Sequence, residues 1–314
     1  LLVLCMLALH APGSFASFYD DNSGDSWEDA YIIDSLEDLI LFRDTSTSAN
    51  TAYKYFKLGH DIDMTSLPSW KGIEFGGHFD GQNHTIRINI TSLSEDSIWL
   101  ALFSRLQRSG FDMTPEIINL NVDGQIKVQV NNSSDVISMA AGIVNRHSNG
   151  LIENCNFTGS IEIYTKNEFW DSDAYGIEIG GITSQAESVT IKNCKFDGNI
   201  IVHNEPSNNY GIRVGGITGI IIGASIINCE VASGSRISII GTDLECTAGG
   251  IAGFYPFSGR EITNCKTSGL IITGATYRGG IMGLIDWGYD GPDLAGNEWP
   301  PEYPEKVLYG QYYP

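Results

Sequence analysis

The sequence predicts an all-β protein, a right-handed parallel β-helix (solenoid) closed at one end by a small N-terminal α/β capping unit. Three observations predict it. Glycine is abundant, at 36 of 314 residues, and charged residues make up only 18% of the chain, below the usual quarter for globular proteins. The pattern Ile-x-Asn-Cys recurs every 35 to 39 residues, as IENC at Ile152, IKNC at Ile191, IINC at Ile226 and ITNC at Ile262, with IINL at Ile117 as a variant. Two further series interleave with it. One reads AAGI at Ala140, GGIT at Gly180 and Gly215, GGIA at Gly249 and GGIM at Gly279; the other reads VDGQI, FTGSI, FDGNI and TSGLI, with VASGSRI as a variant. A period of this length marks a solenoid, because a five-residue strand cannot bury itself and must stack on its equivalent in the next repeat.

Taken in chain order, the first 16 residues, LLVLCMLALHAPGSFA, carry no Asp, Glu, Lys or Arg. The apolar run is too short to span a bilayer, and Pro12-Gly13 breaks it. Ser14-Phe15-Ala16 fits a small-x-small cleavage site, so residues 1–16 read as a secretory signal peptide. Residues 17–29 form an acidic lead-in. Residues 30–110 read as an N-terminal cap and first coil. Within them SLEDLILFRD predicts a short helix with Ser35 as N-cap, Asp38 three residues on, and Leu36, Leu39, Ile40 and Phe42 on the apolar side. A cap is needed because an open solenoid end exposes a sheet edge.

Residues 111–286 are the β-helix repeats, read as three strands per coil, and five coils make a rod of about 25 Å at the usual strand spacing. The extra residues around Phe169–Tyr175 and Asn204–Asn209 are expected to project as loops from one side. Residues 287–314 form an aromatic and Pro-rich tail that covers the other end.

Several of these segments resemble the GLUG motif of bacterial exported proteins. The resemblance rests on GGITG at Gly215, GGIAG at Gly249 and GGIMG at Gly279, together with YFKLGHDIDM at Tyr55, FGGHFDGQNHTI at Phe75 and ALFS at Ala101. It covers roughly residues 30 to 285, and Ser104 stands where the family has glycine. It implies an exported or surface-displayed β-helix of the kind found in adhesins. Similar segments accompany IgA-specific metalloendopeptidases, whose His-Glu-x-x-His zinc site does not occur in this sequence.

The residue types with chemical potential have structural readings. Cys155, Cys194, Cys229 and Cys265 share one repeat position with Leu120, which points to an inward apolar ladder. Ladder neighbours face the same way rather than each other, which disfavours disulfides, and five cysteines remain once Cys5 is removed with the signal. Cys246 aligns with Ile177 and Ile212. Asn119, Asn154, Asn193, Asn228 and Asn264 form a second ladder, suited to corner conformations and to amide-to-amide bonding along the rod. Charges alternate in sign down the columns, Glu153 beside Lys192 and Glu178 beside Arg213, as parallel stacking requires. His78, Asp80 and His84 have spacing for metal ligands on a straight strand, but Asp80-Gly81-Gln82-Asn83 is a turn signal. DSDAYG at Asp171 has a calcium-loop look without the closing Glu. Asn83, Asn89, Asn131, Asn132 and Asn156 sit in glycosylation triplets.

A net charge of −20 excludes phosphate-backbone binding and hence nucleic acid as a partner. No cofactor or metal is implied, and no segment of the mature chain has membrane-spanning length. The expectation is a monomeric, secreted or cell-surface scaffold that is non-catalytic and adhesin-like, binding a host, matrix or glycan ligand. Trp287, Tyr289, Trp299 and Tyr303 are the candidate binding residues, since no repeat dictates aromatics there; covering the last coil is their competing role. The alternatives are a polysaccharide-degrading β-helix enzyme, which needs convergent carboxylates at one lateral face, or an accessory segment of a larger secreted protease.

Overall fold

Equivalent strands of successive repeats pair in parallel and in register, so the chain winds into a β-solenoid with four lateral faces. The structure is a computed structural model. It describes residues 22–92, 99–109, 113–129, 139–165, 176–204, 211–241, 246–256, 260–286 and 291–308. Strand accounts for 53% of the described residues and helix for 4%, and every strand pair among them runs parallel. The signal-peptide segment and the loop at Phe169–Tyr175 lie outside the described residues.

The first face is an 8-stranded sheet carrying the Ile-x-Asn-Cys strands, such as Leu151–Glu153, Thr190–Lys192 and Ser225–Ile227. The second holds the long strands that follow each cysteine, such as Asn121–Gln129, Asn156–Thr165 and Lys195–Asn204. The third, 6-stranded, ends in the Gly-Gly pairs, as in Ile177–Gly180 and Ile212–Gly215. The fourth follows them, as in Val144–Ser148, Thr183–Glu187 and Thr218–Ile222.

Each coil therefore has four strands where the sequence suggested three. The reason lies in the glycines. The Gly-Gly-Ile piece is not one strand but a sharp corner between two. A Cβ on Gly180 would strike the carbonyl of Thr183 in the next face, and one on Gly181 would strike the ring of Phe196 across the core. The same holds for Gly215 and Gly249, so the motif is glycine because two sheets fold onto each other's backbone there.

The interior is a set of columns. Ile117, Ile152, Ile191, Ile226 and Ile262 stack on the first face, and Ile126, Ile161, Ile200, Ile237 and Ile272 on the second, all buried. The Phe157 and Phe196 rings stack at 6.0 Å. β-branched side chains suit this arrangement, because a stiff χ1 lets one rotamer repeat up the column.

Both ends are covered. Helix α1, Leu36–Thr45, starts at Ser35, whose hydroxyl accepts from the Asp38 amide at 3.1 Å. It lays Leu39 and Phe42 onto the first coil, where Phe42 meets Phe56 at 4.6 Å and Phe79 at 6.0 Å. Leu36 and Leu41 pack beside them, while Ile40 is only half-buried. Ser104 lies in the strand Phe103–Gln107 as the extra residue of a register shift, since the consecutive Ile73 and Glu74 pair with Phe103 and Arg105. At the far end Leu294, Trp299 and Tyr303 pack on the core, and Lys306–Leu308 adds a last strand beside Met282–Ile285.

Column membership makes an energetic prediction. Ile191→Asp or Ile226→Asp should lower stability by about 3–5 kcal/mol, through an unpaired charge in the core. Lys195→Ala should cost about 1 kcal/mol or less, because its 3.2 Å contact with Glu230 joins two side chains that are each more than 40% exposed. Urea unfolding midpoints of the three variants check the difference.

Candidate functional site

Corner chemistry positions everything else. Asn119, Asn154, Asn193, Asn228 and Asn264 turn the chain from the first face to the second, all with φ between 52° and 54°. Asparagine tolerates this left-handed conformation better than other side chains with a Cβ. Their amides bond along the rod: Asn154 Nδ2 donates to Asn119 Oδ1 at 3.1 Å, and Asn228 Nδ2 to Asn193 Oδ1 at 3.2 Å. Asn119 Nδ2 donates in turn to Asp80 Oδ1 at 3.0 Å. A second left-handed corner, between the fourth face and the first, uses Asn149, Ser188 and Gly223. It escaped the sequence reading because three different residue types share one backbone need.

Cys155, Cys194, Cys229 and Cys265 are free thiols buried just inside the asparagine corner, above Leu120. Cys155 Sγ donates to the Glu153 carbonyl at 3.2 Å, and Cys194 Sγ to that of Lys192 at 3.3 Å. Burial pushes the thiols of Cys194 and Cys229 well up; for Cys265 the hydrogen bond to Cys229 comes first and burial second. Cys246 is buried in register with Ile212. The raised thiols of Cys194, Cys229 and Cys265 are poor nucleophiles at neutral pH.

His78, Asp80 and His84 do not converge. His78 Nδ1 lies 2.9 Å from Glu116 Oε1, His84 Nδ1 lies 3.4 Å from Asp61 Oδ1, and Asp80 Oδ1 accepts from the Gln82 amide at 2.9 Å. The chain reverses between them at Gln82 and Asn83, both with positive φ. Trp299 and Tyr303 lie against the last coil. Trp299 packs on Gly280 and donates from Nε1 to the Tyr303 carbonyl at 3.2 Å, and the Tyr303 hydroxyl donates to the Ile272 carbonyl at 3.2 Å. One edge of Tyr303 still borders a cleft shared with Tyr277, Arg278, Glu302 and Val307. Trp287 and Tyr289 lie outside the described residues, as does the acidic segment at Asp171.

Two lateral surfaces stand out. On the second face the long strands bend at Gly124, Gly159 and Gly198, where a Cβ would strike the carbonyl of the coil below. The bend leaves a shallow trough of about 640 Å³. Asn89, Gln125, Ser160 and Asn199 line it in one register column, with Thr158 and Asp197 in the next. Gln125 Nε2 donates to Asn89 Oδ1 at 2.8 Å, while Gln125 and Asn199 are exposed. The repeating Asp/Thr-Gly-Gln/Ser/Asn was visible in the sequence, but the bend that makes it concave was not.

The other surface is the re-entrant angle between the third and fourth faces. Glu178 points outward from the third face, yet it is fully buried and neither carboxyl oxygen has a hydrogen-bond partner. Arg213 Nη1 is 3.7 Å away. The charge alternation read from the sequence is thus present in register, but on a buried carboxyl. Burial raises the Glu178 pKa to about 8, against the opposing pull of Arg213 and Arg146. Inside the solenoid, in the fourth-face column, His147 is also fully buried with both ring nitrogens unpartnered, and burial lowers its pKa to about 3.

No family model matches the chain. An alignment 151 residues long, covering 43% of this chain, is 29% identical to Halomucin of Haloquadratum walsbyi and spans 2% of that protein's length. A crystal structure of a Bacteroides ovatus protein, provisionally assigned as an immunoglobulin A1 protease, superposes with a TM-score of 0.62 at 19% identity. The match covers 93% of this chain and 80% of that one. At that identity the likeness is one of fold. No helix among the described residues is long and apolar enough to cross a membrane.

His147 and Glu178 give the fold a two-armed pH dependence. His147 takes up a proton in the unfolded chain near pH 6.5 but in the folded chain only near 3, so stability falls as pH drops through that window. Glu178 loses its proton near 4.5 when unfolded but near 8 when folded, so stability falls as pH rises from 4.5 to 8. The two slopes oppose each other between about pH 4.5 and 6.5. Each arm should be worth on the order of a few kcal/mol. Urea titrations from pH 3 to 9 should show this plateau, with Glu178→Gln flattening the alkaline arm and leaving the acid arm in place. Thiol titration of the same protein should find few reactive groups natively and about five in denaturant.

Proposed function

We propose that this chain is an exported, non-catalytic β-helix that displays a glycan-binding surface, in the manner of an adhesin module. The trough on the second face carries the reading. It offers amides, hydroxyls and one carboxylate, that of Asp197, with glycine backbone as its floor. Sugar recognition needs this combination: side chains that both donate and accept toward neighbouring hydroxyls, and a flat surface for the ring. The columns run along the solenoid axis, so an extended oligosaccharide meets equivalent groups every ~4.8 Å. The charge-poor stretch at residues 1–16 supports export.

A polysaccharide-degrading role draws on Glu178, the kind of raised-pKa carboxyl that acts as a general acid. Its enclosure and its arginine neighbour at 3.7 Å weigh against it, since glycoside hydrolysis needs two carboxyl groups flanking an accessible bond. An accessory role within a larger secreted protease is compatible with the scaffold reading.

Retention of the intact protein on immobilised neutral glycans, mannan, β-glucan and mucin among them, tests the proposal. Gln125→Ala combined with Asn199→Ala should reduce retention about tenfold or more without moving the melting temperature, since both side chains are exposed. Trp299→Ala with Tyr303→Ala should instead lower the melting temperature, and leave retention per folded molecule unchanged. Absence of retention on every such surface would overturn the glycan reading, and release of reducing sugar would favour the enzyme.

A further inference from the structure

The cysteine ladder has a continuation in the first coils, and it is made of histidine. Cys155 and Cys194 stand two residues before Phe157 and Phe196, and Leu120 stands two before Val122, all in one register. The same register places His84 two residues before Ile86 and His60 two before Ile62. Leu120 and the cysteines are buried, whereas the side chain of His84 is 34% exposed and that of His60 75%. Corner length explains the difference. The turn from first to second face is Asn119-Leu120 in the third such corner, but Gly81-Gln82-Asn83-His84 in the second and Leu58-Gly59-His60 in the first. Gln82 and Asn83 both have positive φ. The longer turns swing an imidazole out to solvent on two successive coils.

The two rings lie beside each other, with centres 6.3 Å apart and planes inclined at 32°. Each has a carboxylate at Nδ1: Asp34 Oδ1 lies 3.1 Å from that of His60, and Asp61 Oδ1 lies 3.4 Å from that of His84. The carboxylates are themselves held. Asp61 Oδ1 accepts from the Thr85 amide at 2.9 Å, and this bond, with His84 behind it, keeps the carboxyl below its usual range. Asp34 directly precedes Ser35, the N-cap of α1, and its Oδ1 rests against Gly59, where a Cβ would come within 1.6 Å of it. A carboxylate can only accept, so it keeps the imidazole proton on Nδ1 and leaves the lone pair on Nε2. Neither Nε2 has a partner among the described residues.

We propose that His60 and His84 bind a divalent transition-metal ion between their Nε2 atoms, clasping the capping coil to the coil that follows it. A histidine whose other nitrogen donates to a carboxylate is the usual form of a metal-bound imidazole, because the carboxylate fixes the tautomer and the ring orientation. With metal–nitrogen bonds of about 2.0–2.1 Å, two imidazoles on one ion hold their ring centres roughly 5–6.5 Å apart. The 6.3 Å separation falls in that range. His78 and His203 also meet carboxylates, those of Glu116 and Glu162, but each stacks on a tyrosine and neither has a histidine beside it among the described residues. No three ligand-type side chains are already gathered on one point among the described residues, so water completes the coordination shell. Imidazole nitrogen favours Zn²⁺ and Cu²⁺ over Ca²⁺ and Mg²⁺, and the −20 net charge draws cations toward the surface. The site is separate from the trough on the second face and does not depend on it.

The test is a titration of the intact protein, free of any oligohistidine tag, with Zn²⁺ and separately with Ca²⁺, followed by calorimetry and by NMR of the imidazole nitrogens. Zn²⁺ should shift the Nε2 signals of His60 and His84 and leave those of His78 and His203 in place. It should also raise the melting temperature, since an ion that joins two coils binds the folded chain alone. Ca²⁺ should do neither. His60→Ala and His84→Ala should each weaken Zn²⁺ binding by at least about tenfold, and Asp34→Ala, which removes only the carboxylate behind the ring, by about tenfold. His60 is largely exposed, so its alanine variant should melt as the wild type does without metal, and it decides the matter even if His84→Ala destabilises the corner. No response to Zn²⁺, undiminished Zn²⁺ binding by folded His60→Ala, or Ca²⁺ bound as tightly as Zn²⁺ through carboxylates alone overturns the proposal. The Gln125/Asn199 variant should bind Zn²⁺ as the wild type does, so failure of the trough reading and failure of this one are told apart.

Discussion

Parallel, in-register stacking at about 4.8 Å is the constraint on which the rest of this molecule depends, because it sets every residue beside its own equivalent in the coils above and below. A side chain must tolerate a near copy of itself on both sides. Isoleucine does so by repeating one rotamer, asparagine by donating an amide upward and accepting from below, and cysteine by pointing its sulfur at the carbonyl two residues back. Charges do so by alternation. Removing one member of a column therefore disturbs two interfaces rather than one, which couples the coils into a single cooperative rod.

The same constraint decides what sequence could reveal. A position whose demand is met by one residue type in every coil is visible as a repeat. The asparagine corner, the cysteine and isoleucine columns and the paired glycines all announce themselves this way, as does Ser35 at the start of α1. A position whose demand is met by several residue types leaves no repeat. Asn149, Ser188 and Gly223 share a left-handed turn without sharing a letter. The fourth strand of each coil was hidden for a related reason: a Gly-Gly-Ile run reads as part of one apolar strand unless the steric collision across the corner is known.

The candidate sites were less legible than the fold. Asp123-Gly124-Gln125 and its equivalents were recognisable as a series, but only the bend at the glycines makes their outer side chains line a trough. His147 and Glu178 were individually unremarkable residues. Their burial comes from packing: His147 faces inward in a column with Leu106, Ala186 and Ile221, and Glu178 faces the angle where the third and fourth faces meet. The tail aromatics show the opposite case. Trp299 and Tyr303 looked out of place because no repeat called for them, yet the irregular end of a solenoid needs irregular, large side chains to cover it.

In a solenoid of this kind, then, regularity records stability and departure from regularity records something else. An exposed column has freedom that an internal one lacks, since a substitution there costs about 1 kcal/mol or less unless charge or shape is violated. A column that keeps an unfavourable neighbour despite this freedom needs a compensating interaction. Arg105 beside Arg146 is such a column, and acids flank the pair: Glu74 is the other register partner of Arg105, and Glu187 lies 3.6 Å from Arg146. The enclosed carboxyl of Glu178 lies one face away, joined to the same arginine electrostatically. Both departures lie outside a core whose columns change little, with Leu120 below four cysteines and Phe79 below five isoleucines, so the irregular chemistry of the chain is confined to its surface columns.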